Sequence, residues 1–388
     1  MEIKPETFRP RAFVHRQPGW GRWLRGGFVS LAVLCGAVGI LLYSDPTLIP
    51  QAVDIARGVI GPQPVALLES WVFQARDQAR RIQYQTTGNA PALAWAGPTP
   101  IIPHVSAAPA SAPATPPPDT ATSAALSWAP FVFTPVGSLA LERAIVTPDP
   151  ARPYVDTALV RIDLKAAQLH LLAGTQEPIS TVKLARPGMI PAADQRNGML
   201  LAAFNGGFKA ANGAFGMGVG NTVLLAPVDG LATLAIYRDG HVQLGSWGTD
   251  ITASPNIAAW RQNCPLLLAG GKPTADTELD DPKLWGHTVG NKIATWRSGL
   301  GLSADGRYLI YAAGDDLTVP ALAQALALGG ASRAMQLDIN SWWVRFVTYT
   351  TDPTTHRPTA QKLLTDMIGD KRQFLIADSR DFFYVTAR

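Results

Sequence analysis

Apolar and polar positions change rhythm several times along this chain, and each change marks a different kind of element. Between residues 26 and 43 the run GGFVSLAVLCGAVGILLY carries no charge at all, a length near the lower limit for a membrane-spanning helix. Residues 47–84 then place Val65, Leu68, Trp71, Val72 and Ala75 at helical spacing, with Arg76, Arg80 and Arg81 where cations suit a helix C-terminus. From 88 to 130 the periodicity stops in an Ala, Pro, Thr and Ser stretch that buries too little apolar surface to offset its ordering entropy. Beyond about residue 135 the rhythm is that of short strands: 157–164, 168–172, 199–204, 222–226, 231–237, 241–244, 265–268, 298–302, 307–312, 335–338, 342–349 and 382–385. Arg238-Asp239-Gly240 and Ala304-Asp305-Gly306 read as hairpin turns between them. One helix stands out, Val319 to Leu328, with Thr318 as N-cap, Pro320 in the first turn and Gly329-Gly330 as its stop.

Many strands and few helices predict an α+β class, a β-rich mixed-sheet domain, rather than a doubly wound sheet, because strands and helices do not alternate. The expected order is a basic N-terminus (1–25), a transmembrane anchor (26–43), a membrane-proximal helical stalk (47–84), a disordered linker (88–130) and a folded domain (135–388).

Charge sharpens the address. Lys4, Arg9, Arg11, Arg16, Arg22 and Arg25 precede the uncharged run, so the positive flank stays in the cytoplasm and the remainder is exported. A cleaved signal peptide competes with this reading, but Tyr43-Ser44-Asp45-Pro46 is a poor cleavage site. The chain is therefore expected in a bacterial inner membrane as a single-pass protein, contacting the bilayer through residues 26–43. The net charge of +4 owes part of its excess to that flank, and no basic stripe points to nucleic acid. With Cys35 in the apolar run and Cys264 alone outside it, an exported disulfide and a cysteine-based zinc site are excluded.

The candidate chemistry lies at strand ends. Asn205-Gly206-Gly207-Phe208 follows an apolar strand; its glycines permit positive φ and expose N–H groups to an anion, although Asn-Gly is also the ordinary mark of a tight turn. Arg297 beside Trp296 offers a guanidinium for bidentate phosphate binding, or a structural ion pair. Asp338 ends another apolar strand, where a carboxylate acts as acid or base, or caps nearby N–H groups. Asp315-Asp316, Lys272 and His287 are candidates by their place near strand ends and Gly-rich turns. No cofactor motif is present; an oxygen-ligated divalent cation stays open.

Taken in order, Asn205-Gly206-Gly207-Phe208, Leu266 to Gly271, Arg297-Ser298-Gly299-Leu300-Gly301 with Ala304-Asp305-Gly306, the 319–328 helix and Leu337-Asp338 resemble the phosphodiester glycosidase family, which includes bacterial proteins associated with exopolysaccharide. The resemblance spans about residues 199–349. It implies hydrolysis at a sugar C1–O bond, releasing a sugar and a phosphomonoester, with Asn205, Arg297 and Asp338 as catalytic residues. Gly206, Gly207, Asn340, Ser341, Trp342, Lys272 and Asp315 are the accompanying candidates for substrate binding. The implied partner is a glycan or glycolipid carrying a phosphodiester. The chain departs from the family where Leu-Asp-Gly-Gly-Gly-Ser is usual: Ile339 and Asn340 stand in place of glycines. A non-catalytic glycan-binding or polysaccharide-assembly protein is the alternative that this departure keeps open.

Overall fold

The computed structural model describes residues 75, 77–88, 93–97, 105–106, 126–279, 281–286 and 294–388. All of them fall in the compact unit 53–388; the unit 1–52, with the expected anchor at 26–43, lies wholly outside the described residues, as do His287 and most of the 88–130 stretch. Among the described residues, no helix is long and apolar enough to cross a membrane.

Among the described residues, three sheets carry the fold. The largest has nine strands. Its centre runs Leu139–Thr147, Thr157–Asp163, Tyr308–Leu317, Thr295–Leu302 and Arg333–Ile339, each antiparallel to the next. A five-stranded sheet joins Pro358–Lys362, Phe346–Thr351, Leu200–Asn205, Phe382–Ala387 and Ala167–Leu172, again antiparallel. A second five-stranded sheet contains Val242–Ser246, Ala232–Tyr237, Ile257–Gln262, Met217–Val219 and Thr222–Leu225.

Strand alternation decides which core each side chain joins, because successive residues face opposite sides. Along Thr295–Leu302, Trp296, Leu300 and Leu302 enter a core shared by all three sheets, with Leu201, Phe204, Leu234 and Phe383. The opposite face of the large sheet packs under helix Val319–Leu328, whose Leu322 and Leu326 share one buried cluster with Ile310 and Leu267. Thr318 caps this helix by accepting from Ala321 N at 3.2 Å, and Gly329 ends it.

Two expectations shift. The strand read at 342–349 begins only at Phe346, since Asn340 takes a left-handed φ of 88° and the chain turns through Trp343 before it can extend. The folded body also takes in chain before residue 135. Ala129–Phe133 pairs with Leu139–Thr147, Trp95 bridges Leu364, and Thr365 N donates to Ala94 O at 2.9 Å. Residues 77–87 are helical, and Arg152 Nε donates to Asp77 at 3.0 Å while Arg80 pairs with Asp315 and Asp316.

Candidate functional site

Three strand ends from two sheets meet around Gly206. Strand Leu200–Asn205 delivers Asn205, strand Arg333–Ile339 delivers Asp338, and residues 378–381 lead into strand Phe382–Ala387. Asp338 N donates to Gly206 O at 3.1 Å, and Gly206 N donates to Asp381 O at 3.1 Å.

Asn205 is a fastener within this junction. Its Nδ2 donates to Ser298 Oγ at 3.0 Å and Gly206 O at 3.2 Å, and its Oδ1 accepts from Tyr311 OH at 3.1 Å and Arg345 N at 3.0 Å. Those four contacts use the capacity of a side-chain amide. Ser298 Oγ then donates to Asp338 O at 2.8 Å, so Asn205 reaches Asp338 through its backbone support.

The two glycines answer to a close approach rather than to a positive φ, which neither adopts. A Cβ on Gly206 would lie 2.7 Å from Asp381 O, and one on Gly207 would lie 2.9 Å from Arg261 Cζ. Both neighbours belong to a fully buried ion pair, Arg261 Nε to Asp381 Oδ2 at 2.9 Å. Gly207 N donates to the same Asp381 oxygen at 3.2 Å. The loop thus does bind an anion, but the anion is the protein's own carboxylate. Arg261 is satisfied further by Phe208 O, Phe215 O and Gln262 O, as a buried charge requires.

Asp338 takes its cation from Arg380, an ion pair that the sequence reading missed. Arg380 also donates to Gly207 O at 3.0 Å, and its guanidinium lies 4.6 Å from the Trp343 ring centre. The Lys209 ammonium sits 5.1 Å from the same ring. Asp338 Oδ1 accepts from Ile339 N at 2.9 Å. Burial pushes the Asp338 carboxyl up to about 6 even though Arg380 opposes the shift. Only 6% of the residue is exposed. A carboxyl poised in this range, two cations and an indole together can exchange a proton and hold an anion beside a flat apolar ring.

The remaining expected residues part company. Arg297 is fully buried and held by Leu317 O at 3.0 Å and Gln336 Oε1 at 2.8 Å, with no hydrogen bond to Asp338 or Asn205. Burial lowers it to about 10. Gln336 also donates to Cys264 Sγ at 3.6 Å. Asp315 is engaged by Arg80 of the 77–87 helix at 3.0 Å rather than standing beside Asp338. Lys272 is exposed at the other end of the large sheet, where Gly271 N donates to Ser332 O, six positions along the strand from Asp338. Asn340 is a turn residue: its Oδ1 accepts from Trp342 N at 3.1 Å, and Ser341 Oγ lies 3.5 Å from the same oxygen. Trp342 is half-buried beside Trp343. The signals that were available for the missed residues are charges in apolar strands: Arg261 after Trp260, and the Asp378-Ser379-Arg380-Asp381 cluster directly before Phe382.

Among the described residues no group of three or more His, Cys, Asp or Glu stands together to hold a metal. No family model and no curated protein matches the chain. Among solved structures, the catalytic domain of zebrafish N-acetylglucosamine-1-phosphodiester alpha-N-acetylglucosaminidase, auto-inhibited by its pro-peptide, is similar over 65% of this chain and 84% of its own, at 13% identity and TM-score 0.40. A hypothetical protein from Synechocystis is similar over 65% of this chain and 63% of its own, at 12% identity and TM-score 0.36. A Burkholderia pseudomallei protein described as exported covers 54% of this chain and 74% of its own, at 13% identity and TM-score 0.30. These are distant likenesses, and none of them assigns a role to a residue here.

Proposed function

We propose that this chain is an exported, membrane-anchored hydrolase that cleaves a sugar phosphodiester, or a related anionic glycosidic bond, in an envelope glycan. The observation that carries the reading is the cluster of Asp338, Arg380, Lys209 and Trp343, in which a buried carboxyl titrating near 6 stands beside two cations on one indole. The order of motifs that resembles the phosphodiester glycosidase family supports it from the sequence. The basic flank before residue 26 and the uncharged run 26–43 support export and anchoring.

In this mechanism Arg380 and Lys209 hold the phosphate oxygens, and the half-buried Trp342 offers its ring to the sugar. Ionised Asp338 takes a proton from a water that attacks C1. The C1–O bond breaks, and its electron pair leaves with the phosphomonoester. A phosphate leaving group needs little protonation, so one carboxylate serves where glycoside hydrolysis usually takes two.

A second reading, a glycan-binding or polysaccharide-assembly protein without turnover, draws on the engagement of both Asp338 oxygens, one by Arg380 and one by Ile339 N. Turnover of a synthetic sugar phosphodiester by the full chain separates the two. The hydrolase reading expects wild-type turnover and a loss of about 100-fold or more in Asp338→Asn, the scale of a removed acid–base group. Glycan binding by the wild type with no turnover of any sugar phosphodiester supports the second reading instead.

A further inference from the structure

Strand Ile257–Gln262 has two faces with different uses. Arg261 turns to Asp381 beneath the glycine loop, so its neighbour Trp260 points to the other side of the sheet. There a pocket of about 410 Å³ opens between edge strand Thr222–Leu225 and residues 253–257, sharing no residue with the Asp338 cluster. The volume falls within the range of small-molecule sites, roughly 300–1,000 Å³. Trp260 and Trp247 line it, with ring centres 5.0 Å apart and planes tilted by 34°.

The sheet is cut to seat the Trp260 indole. A Cβ on Gly218 would collide with Trp260 Nε1, and one on Gly216 would lie 2.8 Å from Trp260 Cζ3, so the ring lies across two glycines of the neighbouring segment. Both tryptophans are only 7% exposed, and a buried indole N–H ordinarily finds an acceptor, as Trp285 Nε1 does in Asp276 O at 3.0 Å. Among the described residues, neither Trp247 nor Trp260 has a protein acceptor for its N–H, and neither nitrogen is sealed from solvent.

An indole nitrogen only donates, so the missing partner is an acceptor oxygen. The lining does not call for a charged one. It holds no aspartate or glutamate, and its cation, Arg238, is turned to the protein, giving Nε to Pro255 O at 2.8 Å and Nη2 to Asn221 Oδ1 at 2.7 Å. Thr222 and Ser254 add hydroxyls. Apolar ring surface, two N–H donors and neutral hydroxyls suit a molecule with a C–H face and oxygens around its rim. We infer that this pocket binds a neutral sugar unit, a glycan contact separate from the proposed hydrolytic site.

Saturation-transfer NMR on the full chain, in a polyoxyethylene detergent that carries no sugar headgroup, tests this with the methyl glycosides of glucose, galactose, mannose and N-acetylglucosamine. Saturable binding of at least one is expected. Trp260→Phe keeps the ring, removes the N–H and weakens that binding about two- to tenfold, the scale of one neutral hydrogen bond. Ala253→Leu, at an exposed lining position, narrows the pocket without touching the core, weakens binding at least as much, and decides the matter if Trp260→Phe does not fold. Binding of none of the four, or binding unchanged in Ala253→Leu, overturns the inference. So does binding that disappears in Asp338→Asn but survives both pocket variants, which would put the sugar at the other site.

Discussion

At the scale of single residues, Asp338 is buried beside Arg380, and burial pushes its carboxyl up to about 6 from an ordinary value of 3.8. Between those two values the folded chain holds a proton that the unfolded chain has released. This group's contribution to stability is therefore greatest below the unfolded value and is lost as pH rises through about 6. If Asp338 acts as the base, kcat/KM for a sugar phosphodiester rises through a limb centred near pH 6 and levels above it, and a rate that falls across that window instead rejects the assignment. The glycine beside it makes a stability prediction: Gly206→Ala drives a methyl into Asp381 and costs about 1–3 kcal/mol, read from urea unfolding. A carboxylate ending an apolar strand was legible in the sequence. Its partner was not, because Arg380 lies 42 positions away and only the pairing of two sheets brings them together.

Local rules govern the elements, and they succeed where an element's neighbours are its own sequence. Helix Val319–Leu328 has the expected bounds because its cap, first-turn proline and terminal glycine act within a few residues. Thr318→Ala removes the acceptor for Ala321 N and lowers stability by about 1 kcal/mol, again measured by urea unfolding; an unchanged midpoint would show that the cap contributes nothing. The same rules fail at 342–345, whose apolar pattern suits a strand. There Asn340 accepts from Trp342 N and donates its own N–H to Trp296 O at 2.8 Å, which turns the chain before Phe346. Ile339 closes the strand, and Asn340 occupies the left-handed conformation that a glycine takes most easily.

For the whole molecule, residues 77–87 and 94–96 are part of the folded body. The 77–87 helix is fixed by Asp77 to Arg152 and by Arg80 to Asp315 and Asp316, and Tyr84 packs 6.0 Å from Tyr154. Trp95 and Ala96 then pair with residues 363–364. A chain cut once between Gly97 and Leu126 is accordingly expected to elute as a single species in native chromatography, with both fragments present on denaturing gels. Separate elution would mean that these contacts do not hold the two parts together.

Composition and periodicity by themselves determined the β-rich class, the capped helix and the strands on which Asn205, Arg297 and Asp338 fall, since each depends on residues close in sequence. Only the tertiary structure decided which of those residues meet. It turned Asn205 into a tie between strands, sealed Arg297 beneath Gln336, gave the glycine loop to Asp381 and brought Arg380 to Asp338. The physical reason is that a buried charge needs a counter-charge within hydrogen-bonding reach, and strand pairing, which joins distant segments, sets where that partner stands.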